Sequence, residues 1–197
     1  MHDREVTIPE PDELKLLWLL YARRPEGMPP RRWRGLVGYG RLDIAARFLL
    51  ASLYPGGRLL SGRGLLLFLD RGGEGKAVLL GPGCLPERLE GEPAAATLLL
   101  RVLRGGMCGG LAPAEWGALL RELRRAGWRI VLLREDGSAL EPRLLRGAVL
   151  VVGSRVDPPE RGPYDARIRV GCFPYLASAV AAYINLVLES GLLGDEG

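Results

Sequence analysis

The sequence predicts an α/β fold built on a mostly parallel sheet flanked by helices, and three observations carry that prediction. Val149, Leu150, Val151 and Val152 form an unbroken apolar run closed by Gly153, the pattern of a strand (Ala148–Val152) buried on both faces. A loop rich in proline, glycine and arginine follows, in which Pro158-Pro159 and Gly162-Pro163 forbid a helix. A short strand at Ala166–Val170, a glycine-led turn and an apolar helix over Ala177–Glu189 complete the segment. In open α/β sheets ligands settle beyond the carboxyl ends of such strands. Gly153-Ser154 and Gly171-Cys172-Phe173 are therefore the expected walls of a small-molecule site.

Taken in order, residues 1–13 read as a polar, loose lead-in and residues 14–197 as a single domain, since 197 residues suit one domain on a prior of ~150. Leu14–Ala22 reads as a first buried strand, with a short helix as the alternative. In the loop beyond it, Arg31, Arg32 and Arg34 flank Trp33, with Tyr39 close by. Arginine interleaved with aromatics suits exposed RNA bases and phosphates. The competing reading is a solvated loop that Trp33 anchors to the core. Arg41–Leu53 has helical spacing, with Leu42, Ala45, Ala46, Leu49, Leu50 and Leu53 on one face. Arg41, Asp43 and Arg47 fall off that stripe, and Asp43 and Arg47 can pair at i,i+4.

Leu65–Leu69 and Lys76–Leu80 read as strands around a hairpin at Arg71-Gly72-Gly73, and Leu85–Leu89 as a brief edge strand. Pro93–Leu103 and Ala112–Ala126 read as helices with proline near their starts. On the second, Trp116, Leu119, Leu120 and Leu123 share a face; Arg121, Arg124 and Arg125 lie outside it, to meet phosphate or merely to solvate. The glycines of GGMCGG between these helices lack the preceding strand of a dinucleotide site. Trp128–Leu133 is a strand, with a turn at Arg134–Gly137. Loops after Leu133, Gly153 and Gly171 can thus converge on one pocket.

Composition narrows the chemistry. Hydrophobic content of 48% and charged content of 25% are globular values. No apolar run reaches the ~20 residues of a membrane span, and MHDREVTIPEPDE is too acidic for a signal peptide, so a soluble cytoplasmic protein is expected. The net charge of +4 mildly favours a polyanionic partner. Lys15 and Lys76 are the only lysines, so nearly all positive charge is arginine, which grips phosphate bidentately and stacks on bases. GC-rich coding or a hot habitat produces the same bias. Cys84, Cys108 and Cys172, odd in number and without a CxxC pair, suggest reduced thiols. His2 is the one histidine, which excludes a Ser–His–Asp triad, a Cys–His pair or a histidine metal centre. No metal is expected, and catalysis must rest on carboxylates, arginines, backbone groups or a bound cofactor.

Four segments occur in an informative order: GRLDIAARFLLASLY (Gly40–Tyr54), LLREDG (Leu132–Gly137), AVLVVGS (Ala148–Ser154) and RVGCFPYLAS (Arg169–Ser178). Together, over roughly Leu14 to Glu189, they resemble the archaeal tRNA (pseudouridine-N1) methyltransferases of the SPOUT superfamily. The resemblance implies an α/β fold with a deep C-terminal trefoil knot, bent S-adenosylmethionine within the knotted loops, and a homodimer with its pocket near the interface. It places Leu133 and Gly153 in the cofactor pocket, with Val170, Gly171, Cys172, Phe173, Pro174 and Tyr175 as the knot loop. The final helix contributes to the dimer.

The implied reaction moves a methyl group to N1 of a pseudouridine in tRNA or other structured RNA. Its N1–H proton needs an acceptor, or a cation that stabilises the anionic ring. With no usable histidine, Asp43 is the candidate acceptor and Arg41 or Arg47 the stabiliser and phosphate contact. Arg31, Arg32, Trp33 and Arg34 are the candidate RNA-binding residues. The chain departs from the family where a GDHIG-like run is replaced by Gly153-Ser154-Arg155-Val156-Asp157, and a DERS-like run by residues within Glu92–Thr97. A second reading stays open beside the enzyme: a knotted RNA-binding or dimeric interaction protein without catalysis.

Overall fold

A computed structural model describes residues 8–105, 112–171 and 175–190. Leu16–Arg23 forms β1, Arg63–Arg71 β2, Glu74–Leu80 β3, Ala112–Glu115 β4, Arg129–Ala139 β5, Ala148–Gly153 β6 and Ala166–Arg169 β7. They make one sheet in the order β4-β3-β2-β1-β6-β5-β7. The five strands from β2 to β7 run parallel; β3 returns antiparallel beside β2 as its hairpin partner, and β4, which follows the helix Gly91–Leu103 in the chain, pairs antiparallel with β3 at the edge. The fold class is thus the mostly parallel α/β sheet that the sequence predicts.

The centre of the sheet explains the apolar runs. Along β1, Leu16, Trp18, Leu20 and Ala22 enter one core while Leu17, Leu19 and Tyr21 enter the other, as side chains alternating across a pleat must. Helices α1 (Leu42–Leu53), α2 (Gly91–Leu103) and α4 (Ala177–Glu189) cover the first face; α3 (Trp116–Arg125) covers the second. On that second face the rings of Tyr21, Phe68 and Trp116 cluster at centroid separations of 5.0 to 5.8 Å. α1 lies between α2 and α4.

One buried polar knot orients α4. Arg63, at the amino end of β2, donates to Asn185 Oδ1 at 3.0 Å and to Glu189 Oε1 at 2.8 Å. Asn185 in turn donates to the carbonyls of Ala51 and Ser52 at the end of α1. The carboxyl end of α4 is therefore clamped at the amino edge of the sheet, which leaves its first turn at the carboxyl edge.

Several expectations change. Residues 112–115 are not helical: they pair with Glu74–Ala77 as β4, an edge strand where proline is tolerated, and the helix begins at Trp116. The expected turn at Arg134–Gly137 is a bulge inside β5, whose pairing with Ile168 shifts from Leu133 to Ser138. A Cβ on Gly137 would stand 2.6 Å from the Ile168 backbone, so glycine is what lets the bulge close. Leu85–Leu89 yields only a single bridge, Arg58 to Arg88. The end of the lead-in is held, with Trp128 Nε1 donating to the Pro9 carbonyl at 2.7 Å and Ile8 packed on the core. Cys84, expected as a reduced thiol, is disulfide-bonded. Of the residues expected to form a knot loop, 172–174 lie outside those described. No described helix is long and apolar enough to cross a membrane.

Candidate functional site

Because β5, β6 and β7 are parallel neighbours, their carboxyl ends open on one edge, and a cleft of about 290 Å³ lies there. Leu133, Arg134 and Glu135 form one wall; Val152, Gly153, Ser154 and Asp157 form the second. Arg169, Val170 and Gly171 supply the third, and Tyr175, Leu176, Ala177 and Val180 close the cleft from the start of α4. The three strand ends expected to converge do so. Of the residues named for the cofactor, Leu133, Gly153, Val170, Gly171 and Tyr175 share this cleft, whereas Cys172, Phe173 and Pro174 lie outside the described residues.

Two glycines shape it. The loop after β6 doubles back so tightly that a Cβ on Gly153 would be 2.5 Å from the Val156 carbonyl oxygen and 3.1 Å from Asp157 Cα. Gly171 has φ +87°, and its Cβ would be 2.7 Å from the Tyr175 ring. Backbone rather than side chain therefore faces the space at both strand ends. Arg134 is turned to Asp136 and Glu160, 3.0 Å from each, so its charge is compensated. Asp157 is exposed and has no ion pair among the described residues. Sequence reasoning gave it no role; its one signal was a carboxylate four residues beyond the end of a buried strand.

Arg41, Asp43 and Arg47 form a second cluster that does not line the cleft. Asp43 is 4% exposed although it falls off the apolar stripe. Arg41 Nε and Nη2 hold its two oxygens at 3.0 and 3.1 Å, and Arg47 Nη2 reaches Oδ2 at 2.5 Å. Arg47 also faces Glu92 at 3.4 Å. The Arg41 guanidinium, with Arg47 adding to it, holds the Asp43 carboxyl below the usual aspartate range against the opposing effect of burial. Arg41 has φ 59°, the one non-glycine residue with positive φ among those described, a strain that the fork onto Asp43 holds in place.

A third cluster joins loop to helix: Arg31, Arg32, Trp33 and Arg34 border a separate cleft with Arg101 of α2 and Arg104 just past its end. Elsewhere Arg124 and Arg125 are paired to Asp165 and Glu122. Among the described residues no group of histidine, cysteine and carboxylates is placed to hold a metal ion.

No family model matches the sequence, and no curated protein matches it. The structure is similar to the crystal structure of Nep1 from Archaeoglobus fulgidus bound to S-adenosylhomocysteine, with a TM-score of 0.57 and 15% identity. The likeness covers 91% of this chain and 100% of that one. The chain thus shares the α/β fold that its resemblance to the SPOUT methyltransferases implies.

Proposed function

We propose that this protein is an S-adenosylmethionine-dependent RNA methyltransferase that modifies N1 of pseudouridine in tRNA or another structured RNA and works as a homodimer. The observation that carries the reading is the convergence of Leu133, Gly153 and Gly171 on one cleft, in a fold like that of a protein solved with S-adenosylhomocysteine. The cleft's residues fit such a group. Its volume is near the lower end of the roughly 300–1,000 Å³ of small-molecule pockets. At Gly153 and Gly171 a Cβ would collide with the loop, so backbone groups are left to hold an adenine and an amino acid moiety. Glu135 adds a carboxylate suited to a cationic ligand. The knot belongs to this reading as what the resemblance implies.

Bound there, S-adenosylmethionine supplies an electrophilic methyl group. The chain's own residues must position the target and manage the N1 proton. Asp43 is a poor acceptor, because both its oxygens face guanidinium groups and its acidity is strengthened. Its role is to align Arg41 and Arg47, whose half-exposed guanidinium groups stabilise the ring as it loses its proton or hold the flanking phosphate. Asp157, unpaired on the cleft wall, is the better-placed acceptor of that proton. Leu133, Ala177 and Val180 exclude water from the inner wall.

Calorimetric titration of the protein with S-adenosylmethionine tests the reading. One equivalent is expected to bind per protomer, and Gly171→Val, whose side chain would meet the Tyr175 ring, to weaken binding at least tenfold. A folded protein giving no heat would leave the non-catalytic alternative standing.

A further inference from the structure

The cleft at the third cluster, of about 390 Å³, opens between the 3-10 turn Trp33–Leu36 and the second half of α2. Arg31 and Arg32 approach it from the loop, Arg34 from the turn, Arg101 from the helix and Arg104 from the residue that caps it, and no carboxylate lines it. Two of the five arginines build the cleft. Arg104 donates to the Pro30 carbonyl, which ties loop to helix. Arg34 lies over the Trp33 ring, 5.5 Å from its centroid, while Trp33 is half-buried against the core. Arg31, Arg32 and Arg101 are exposed, and their guanidinium groups make no hydrogen bond or ion pair among the described residues.

By contrast, Arg41, Arg47, Arg124, Arg125, Arg134 and Arg143 each face a carboxylate, and the cleft at Arg24 and Arg71 is lined by Glu74 and Glu115 as well. Guanidinium groups crowded without a counter-charge repel one another and lower stability unless an anion joins them. Several planar forks around one cleft suit oxygens held at fixed spacing, as on consecutive phosphates. Trp33 cannot serve as an open stacking platform, because one face meets the core and Arg34 covers the ring. The expected recognition is therefore of backbone, independent of base identity.

We propose that Arg31, Arg32 and Arg101 grip the phosphodiester backbone of the RNA substrate at a cleft separate from the methyl-donor site. The proposal rests on the RNA-methyltransferase reading and deepens it, by naming where the RNA is anchored outside the reacting nucleotide. The two clefts share no lining residue, so their ligands can be tested apart.

The experiment is fluorescence anisotropy of a fluorescein-labelled tRNA transcript titrated with the full chain over a salt series, beside calorimetry with S-adenosylmethionine. Arg32→Gln/Arg101→Gln is expected to weaken RNA binding at least tenfold. It should also flatten the slope of log affinity against log salt by roughly 1.5, at about 0.7–0.9 for each phosphate no longer neutralised. Arg32→Lys/Arg101→Lys keeps the charge and is expected to keep most of the slope while losing the bidentate part of the affinity. Cofactor binding should be unchanged in both. Unchanged RNA affinity and slope in the glutamine variant would overturn the proposal, as would a wild type that binds no RNA. So would inorganic phosphate displacing the RNA far beyond its ionic-strength effect, which would mark a small-anion site. Loss of RNA binding in a protein that gives no heat with S-adenosylmethionine would instead remove the enzyme reading and leave the cleft.

Discussion

Asp43 and Asp157 are two carboxylates with opposite surroundings, and the difference sets what each can do. Asp43 is enclosed by Arg41 and Arg47, so its charge is stabilised and its basicity spent. Its depressed folded pKa means that its stabilising effect is complete above the ordinary value of 3.8 and is lost as pH falls through the lower folded value. Asp43→Asn is therefore expected to lower stability by about 1–3 kcal/mol in urea unfolding. The deficit should stay flat from about pH 5 to about pH 8 and close in stronger acid. Asp157→Asn should do the reverse: little change in urea midpoint or cofactor affinity, but a fall in kcat on RNA of roughly a hundredfold. If Asp43→Asn alone removed the acid limb of the rate profile, the acceptor would be Asp43 after all. The pairing of Asp43 with Arg47 was legible from i,i+4 spacing. The burial of Asp43 was not, because periodicity marks one face of a helix and α1 is covered by the sheet, α2 and α4 together.

Elements were legible where local chemistry and tertiary demand agree. The apolar run of β6 and the bounds of α4 are as the sequence predicts, since one is a doubly buried strand and the other a long apolar segment. Failure came where pairing decides. Residues 112–115 carry proline at what looks like a helix start, yet β3 offers an open edge and takes them as a strand. The bulge in β5 depends on β7 lying close enough that only glycine fits at position 137, and no local pattern records that distance. The clamp between α4, α1 and β2 is of the same kind: Asn185, 2% exposed, looks like a defect on an apolar helix until its partners are placed. Asn185→Leu would strand the Ala51 and Ser52 carbonyls and remove one acceptor from Arg63. A loss of about 2–4 kcal/mol in urea unfolding is expected, with cofactor affinity affected less than stability because the clamp sits at the opposite edge from the cleft. A Leu variant as stable as the parent would show that the polar knot is dispensable.

At the scale of the whole molecule, α4 has two apolar faces and the single chain covers only one. Ala177, Val180, Ala181, Ile184 and Val187 enter the core. Leu176, Ala179, Tyr183 and Leu186, spaced 3-4-3, stand on the opposite side, with Leu176, Tyr183 and Leu186 respectively 73%, 50% and 62% exposed. That spacing is the seam of one helix packed on another, and so much unpartnered apolar surface on one helix fits an interface with a second copy better than open solvent. Continuity with the cleft strengthens the reading, because Tyr175 and Leu176 line the cleft and are themselves exposed. A second α4 laid along this seam would wall the side of the cleft that one chain leaves open. Tyr183→Glu/Leu186→Glu places two like charges on the seam and nothing in the core. By sedimentation velocity the parent is expected to run as a dimer and the variant as a folded monomer, with S-adenosylmethionine binding at least tenfold weaker in the monomer. A parent that sediments as a monomer would remove the second copy. A monomeric variant with full cofactor affinity would keep the dimer but show that each cleft is complete within its own chain.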